Sequence, residues 1–258
     1  MKFLIKIFTR FIPRHHLQKF AHFFLKLIIV FYKGKRYIDP INGKSYRKFL
    51  PYGRINTRKN ALSPGTMSLE RHRLIWLYLK EKTDFFSKNY KFLHIAPEYC
   101  FIKPFKSLKN IEYTTGDLIS PWADVKLDIM DIPFDDNSFD IIMCNHVLEH
   151  VDDDIKAMKE FYRVMRPGGW GIFQVPIDYN NEKTIEDPTV TNPREREKLF
   201  GQSDHVRLYG KDYAARLQSA GFNVSEENFI NEIDPELKQK YALPENEIIY
   251  LCKKPLNQ

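Results

Sequence analysis

The stretch LDIMDIPFDDNSFDIIMCNHVLEHVDDDIKAMKEFYRVMRPGGWGIFQVPI, residues 127–177, decides the fold. SFDIIMCNHV (138–147) and GGWGIFQVPI (168–177) are predicted strands, and the spacing between them predicts a helix over Asp152–Arg166. Asp152 to Asp154 at its start and Arg163 and Arg166 at its end suit the helix dipole, and Pro167-Gly168 is expected to stop it. Working outward, KFLHIAP (91–97), NIEYTTGD (110–117) and DVKLDIM (124–130) add three strands upstream. Strands alternating with helices imply a parallel, doubly wound α/β sheet. Downstream, a helix over Lys211–Ala220 ends at Gly221. FNVSEENF (222–229) and NEIIYLCKK (246–254) follow it and are predicted to form a shortly connected antiparallel edge pair, for seven strands in all.

In such a sheet a ligand lies at the carboxyl ends of the central strands. Asp117 ends the second strand, where a carboxylate can accept from both hydroxyls of a ribose. Asp128 is placed to accept from an adenine amino group, and Asn145 and His146 end the fourth strand beside the position of a transferable group. His146 and His150 flank Glu149, with His146 read as lining the site and His150 as structural. The polar block EDPTVTNPREREKLFGQSDHVRLYG (186–210) is the expected covering loop. In it, His205 is a candidate general base and Arg207 a candidate anion binder. The alternative is that Asp204, His205 and Arg207 hold the loop together.

The ordered run DIPF, SFD, VLEHV, RVMRPGG resembles the type 11 methyltransferase family of class I S-adenosylmethionine (SAM)-dependent enzymes, over roughly residues 90–255. That resemblance implies a Rossmann-like seven-stranded domain with SAM as cofactor, Asp117 at the ribose, Asp128 and Ile129 at the adenine, and Asn145-His146 on the methyl side. The family's Asp/Glu-x-Gly-x-Gly-x-Gly motif reads HIAPEYC here, with His94, Ala96, Glu98 and Cys100 at the four positions. Ala96 still permits close backbone approach, and Glu98 is a candidate partner for the cofactor's ammonium. LHIAPE, together with FLPYG (49–53), SLERHRLIWLYL (68–79) and FGQSDHVRLYG (200–210), resembles a narrower bacterial subgroup.

Charge is unevenly spread. Residues 1–60 hold 15 of the 40 Lys/Arg and one of the 33 acids, Asp39, so this part is near +14 and the remainder near −7. Residues 1–37 read as a basic amphipathic helical arm, with Leu17, Phe20, Phe24, Leu27 and Phe31 at helical steps. Phe20–Tyr32 is too short to cross a bilayer and Lys26 interrupts it. The arm therefore meets an anionic membrane surface, a nucleic acid, or the protein's own acidic body. Residues 38–67 contain Asp39-Pro-Ile-Asn42 and Ser63-Pro-Gly-Thr66. Cysteines at their ends would make a zinc knuckle; with Asp, Asn, Ser and Thr there, a knuckle-like, metal-free pair of turns is expected, and no metal ligand is assigned in the chain. Residues 68–258 are read as the methyltransferase domain, entered by a helix over Ser68–Lys80 with Ser68 as its cap. Cys100, Cys144 and Cys252 form no CxxC pair, which fits unbridged thiols in the cytoplasm.

The leading functional reading is methyl transfer to an O or N nucleophile of a small-molecule or lipid-linked glycan acceptor, at the inner face of the membrane. Two others compete with it: an RNA methyltransferase or nucleic-acid binder using the arm, and a catalytically silent SAM-fold protein.

Overall fold

The computed structural model describes residues 29–53, 57–120 and 123–256. These residues divide into two compact units: those within 1–84, 98–104 and 230–247 form the first, and those within 85–97, 105–229 and 248–258 the second.

In the first unit the chain runs from a 3-10 turn, Ile29–Tyr32, into strands β1 (Lys33–Asp39), β2 (Lys44–Tyr46), β3 (Leu50–Tyr52) and β4 (Arg58–Leu62). Residues 33–37, read above as the end of a helix, are thus extended. β1 pairs with β2 and β3 with β4, both antiparallel. The apolar stripe of the arm from Leu17 to Leu27 lies outside the described residues; Phe31, its last member, is exposed.

The two Pro turns meet through side chains. Asp39 is fully buried and accepts from the Thr66 hydroxyl, the Ser68 hydroxyl at 3.3 Å and the Ile41 N–H at 3.0 Å. Asn42 Nδ2 donates to the Tyr46 hydroxyl at 3.3 Å, and the Ser63 hydroxyl accepts from Gly65 N–H. A Cβ at position 65 would come within 2.0 Å of the Tyr46 oxygen, so only glycine allows the second turn to lie this close to β2. Hydrogen bonds join the two turns at the positions where a knuckle would carry its thiolates.

The following helix is Glu70–Lys82, two residues later than the sequence predicts. Its end is not capped by Ser68, whose hydroxyl is turned to Asp39. Instead Leu69 N–H donates to His72 Nδ1 at 3.1 Å. Lys80 and Lys82 occupy the last turn, where cations suit the exposed carbonyls. Among the described residues no helix is long and apolar enough to cross a membrane.

The second unit is built on the seven-stranded sheet. With β5 (Tyr90–Ile95), β6 (Ile111–Asp117), β7 (Val125–Lys126), β8 (Phe139–Asn145), β9 (Met165–Gln174), β12 (Asn223–Glu227) and β13 (Ile249–Lys253), the order is β12-β13-β9-β8-β5-β6-β7. Pairs from β9 to β7 are parallel, and β13 runs antiparallel to both β9 and β12. The predicted pair is therefore present, but only β12 is an edge. Its connection, residues 228–248, is long and carries a helix, Pro235–Tyr241.

The β8–β9 crossover differs from the sequence expectation at its end. The helix over 154–164 ends at Val164, and Met165 is already extended, so RPGG belongs to β9 instead of closing the helix. The β8–β9 register jumps from Phe139↔Met165 to Ile141↔Trp170, which makes residues 166–169 a bulge. Gly168, at φ +78, supplies its left-handed residue, and Gly168 and Gly169 exchange backbone hydrogen bonds with Lys254.

Helix Asp154–Val164 starts at Asp153, whose carboxylate accepts from Lys156 N–H at 2.8 Å. Ala157, Met158, Phe161 and Val164, at three- and four-residue steps, are buried in one core with Leu93, Ile95, Ile142 and Cys144 of the sheet. All three cysteines are buried thiols.

Candidate functional site

Chain order places the site. From β5 the chain moves outward through β6 to β7, then returns to lay β8 on the other side of β5. The carboxyl ends of β5 and β8 therefore flank the crevice where strand order reverses. Ala96 follows β5 and donates its N–H to Gly116 O at 2.8 Å with φ +47, a left-handed conformation disfavoured for a residue with Cβ. It stands where the family's motif has glycine. Across the crevice His146, immediately after β8, is also left-handed at φ +56, its N–H bonded to Gln174 O at 2.7 Å. Non-glycine residues held in this region concentrate at functional sites.

Asp117 ends β6 and its Oδ1 accepts from the N–H groups of Ile119 and Ser120 at 2.7 and 2.6 Å. These bonds fix the carboxylate in orientation at the strand end. Asp128 Oδ1 likewise accepts from Met130 N–H at 2.9 Å, and Ile129 beside it is buried in the core. Asn145 is buried at the end of β8.

Two predicted cofactor residues have other partners. His94 is fully buried in an aromatic cluster, 2.8 Å from the Tyr113 hydroxyl through Nδ1, with its ring stacked on Phe92 at 5.7 Å. Its side chain packs in the core beneath the site. Glu98 belongs to the first unit, where its carboxylate lies 3.9 Å from His72 Nε2.

The loop over 186–210 is more ordered than its polar composition suggests. Strand β10 (Ile185–Glu186) pairs with β11 (Arg207–Leu208), and a helix, Pro193–Phe200, lies between them, capped by Asn192 and closed by Gly201 at φ +87. The loop is stapled onto the 3-10 turn Leu148–His150 that follows β8: Val206 N–H donates to Glu149 O at 2.9 Å and His150 Nδ1 lies 3.1 Å from Asp204 O. Arg207 is the main staple. It is only 3% exposed, with Nη1 donating to the carbonyls of Leu148 and Val151, Nη2 to that of Asp152, and Nε to Glu186. With its donors committed to the turn, Arg207 takes the loop-holding role, not that of an anion binder. Beside it Asp154 accepts from Tyr209 and Arg216. Burial raises the Asp154 carboxyl, but the Arg216 bonds, the Arg207 charge and the Tyr209 bond outweigh it, leaving it below the usual carboxylate range.

His205 is also buried, at 3% exposure, and its Nδ1 lies 3.1 Å from Phe200 O. A carbonyl only accepts, so Nδ1 carries the proton and Nε2 presents a lone pair. Burial is the chief influence on this ring and lowers its pKa, which keeps it neutral near pH 7. Glu149, missed as a site residue in the sequence, is 1% exposed; its Oε1 lies 3.4 Å from His146 Nδ1. Its place in VLEHV, directly after the strand that ends at Asn145, was the available signal.

A family model described as "Methyltransferase domain" matches residues 106–173, from before β6 nearly to the end of β9. The matched stretch lies in the second unit, whose seven-stranded sheet has the class I methyltransferase fold. Demethylmenaquinone methyltransferase of Staphylococcus epidermidis is 41% identical over 63 residues, 24% of this chain and 22% of that protein. Sterol 24-C-methyltransferase erg6 of Schizosaccharomyces pombe is 27% identical over 125 residues, 46% of this chain and 31% of that one. The chain thus spans under a third of the length of these curated relatives. The solved structure of the (4+2)-cyclase SpnF shares the fold of the methyltransferase domain, with TM-score 0.52 at 14% identity over 72% of this chain and 82% of that one. That neighbour's own chemistry shows that the fold alone does not select the reaction.

Proposed function

We propose that the chain transfers the methyl group of SAM to an O or N nucleophile. The observation that carries this reading is Asp117, its carboxylate oriented at the end of β6 by the Ile119 and Ser120 N–H groups, in a stretch that matches the methyltransferase model. A carboxylate so placed accepts from two ribose hydroxyls. Asp128 and Ile129 then serve the adenine, Ala96 allows the backbone to approach the cofactor, and Asn145 and His146 line the methyl side. Transfer is a direct displacement governed by alignment of the nucleophile with the sulfonium methyl. A base assists but is not obligatory, and the neutral His205 Nε2 is the candidate acceptor of the proton.

Calorimetric titration with SAM tests the assignment. Asp117→Ala is expected to weaken binding by about 1–3 kcal/mol, the range for donors left without an acceptor. Asp117→Asn, which keeps an oxygen for the 119–120 turn, guards against loss through a collapsed loop. Unchanged affinity in both folded variants removes Asp117 from the cofactor site.

For the acceptor we propose a lipid-linked small molecule or glycan precursor reached from an anionic membrane surface. The support is the basic, apolar-striped arm, with Lys19, Lys26, Lys33, Lys35 and Arg36 along or just beyond Phe20, Phe24, Leu27 and Phe31. Each such cation contributes on the order of 1 kcal/mol near an anionic leaflet, screened by salt. Full-length protein is expected to co-sediment with anionic vesicles at low salt and to be released at high salt, while protein lacking residues 1–28 stays in solution throughout. Equal partitioning of the two would discard the membrane reading.

A further inference from the structure

We propose that Glu149, His150 and His205 form a site for a divalent transition-metal ion of the zinc class. One donor atom from each lies within 4.8 Å of the other two. Residues 149 and 150 are carried by the turn after β8, and 205 by the loop stapled to it, so the three converge only in the folded unit.

The protonation pattern identifies the donors. Nδ1 of His205 faces Phe200 O at 3.1 Å and Nδ1 of His150 faces Asp204 O at 3.1 Å. Each Nδ1 therefore holds its proton, which leaves both Nε2 atoms as lone-pair acceptors. Backbone carbonyls in this position are the usual outer support of metal-bound imidazoles, because they fix tautomer and ring plane together. Asp204 adds a carboxylate 3.7 Å from His150 Nδ1, and the two rings meet edge to face at 4.8 Å.

The third donor is a carboxylate oxygen. Glu149 Oε1 is turned toward His146, whereas Oε2 is buried with no hydrogen-bond partner, and His205 Nε2 is in the same condition. A buried carboxylate oxygen and a buried imidazole lone pair are each unfavourable without a donor. One donor atom from each of these two residues and one from His150 lie within 4.8 Å of one another, and with both Nδ1 protons committed to carbonyls the group offers acceptors and no proton to share. A cation satisfies all three at once. Two neutral imidazoles and one carboxylate suit zinc and its neighbours, whereas calcium and magnesium prefer oxygen alone. The side chain of His150 is 35% exposed, so the site opens to solvent on that side. Three protein ligands with one open position is the arrangement that admits water or an acceptor oxygen. An ion there would use the same His205 lone pair that otherwise serves as base. The inference concerns metal binding alone and does not rest on the methyl-transfer reading.

The test uses full-length protein stripped with chelator and titrated with Co²⁺ in the absence of SAM. The expected result is saturable binding of one equivalent, with visible d–d absorption that Zn²⁺ abolishes by competition. Glu149→Gln and His205→Gln are each expected to weaken Co²⁺ binding by more than tenfold. Because both positions are buried and these variants could unfold, His150→Gln at the exposed edge is the deciding variant. It is expected to remain folded without metal, since Val206 and Arg207 still hold the loop, while losing both the absorption band and the metal-dependent rise in Tm. Absence of one-equivalent binding in the wild type, or wild-type binding by folded His150→Gln, overturns the site.

Discussion

Replacing Arg207 by leucine is expected to destabilise the second unit by about 3–5 kcal/mol, the range for removing one partner from a buried ionic network. At roughly 2–4 °C per kcal/mol for a domain of this size, Tm falls by roughly 6–20 °C. The guanidinium donates to the carbonyls of Leu148, Val151 and Asp152. Leucine fills much of the volume but leaves those carbonyls facing a side chain that cannot donate. It also removes the cation beside the buried Asp154, 3.9 Å from Arg207 Nε. Arg207→Lys is not expected to rescue, because one ammonium cannot reach three carbonyls and Glu186 with the geometry of a planar fork. Thermal melts followed by circular dichroism measure both variants. A lysine variant within 1 kcal/mol of wild type would show that charge, not the clamp, is what matters. The turn held by Arg207 carries Glu149 and His150, so Arg207→Leu should also disturb whatever those residues bind.

The role of Arg207 illustrates what the sequence could and could not convey. An arginine in a polar loop reads equally as an anion binder or as a clamp, since the two differ in burial and in which carbonyls lie nearby. Both depend on residues far away in the chain. Glu149, His150 and His205 have the same difficulty: the first two adjoin, but the third is brought in by the β10–β11 hairpin, whose strands are too short to announce themselves. Ser138–Val147 and the helix after it were legible because they are long, apolar and flanked by charges that suit the dipole. RPGG misled because Pro-Gly is the usual helix stop, and only strand register shows it to be a bulge. His94 looked like a cofactor ligand by its place in the motif. Its side chain instead joins Phe92, Phe105 and Tyr113, an environment that only the packing of the sheet creates. The position of the acids was legible for a different reason: in a doubly wound sheet topology alone decides which strand ends border the crevice, so placing Asp117 and Asp128 there needed no side-chain geometry.

In the first unit the expected large effect is at Arg73, a fully buried arginine that, among the described residues, donates to backbone carbonyls and has no carboxylate in direct contact. Nε and Nη2 donate to the carbonyls of Tyr241 and Ala242 at 2.7 and 2.6 Å, and Nη1 donates to those of Ala61 and Ser68 at 3.0 and 2.7 Å. The guanidinium lies 4.8 Å over the Phe49 ring. Burial lowers its pKa to about 10, against the opposing pull of Asp39 and Glu70, so the charge is retained at neutral pH. Through Ser68, whose hydroxyl lies 3.4 Å from Nη1 and donates to Asp39, the arginine is also tied to the two Pro turns. Arg73→Leu removes all of these donors, and each stranded carbonyl costs about 1–3 kcal/mol where water cannot replace the bond. Partial access of water limits the total, and a loss of about 3–5 kcal/mol is expected. Arg58→Leu is the internal comparison: the Arg58–Glu70 pair is bidentate, but the arginine side chain is 49% exposed. An exposed pair contributes at most about 1 kcal/mol. Urea unfolding of the two variants side by side should therefore separate them by several kcal/mol. Equal losses would mean that the Arg73 carbonyls are served by water when the guanidinium is gone, and that the first unit is held by its aromatic packing instead.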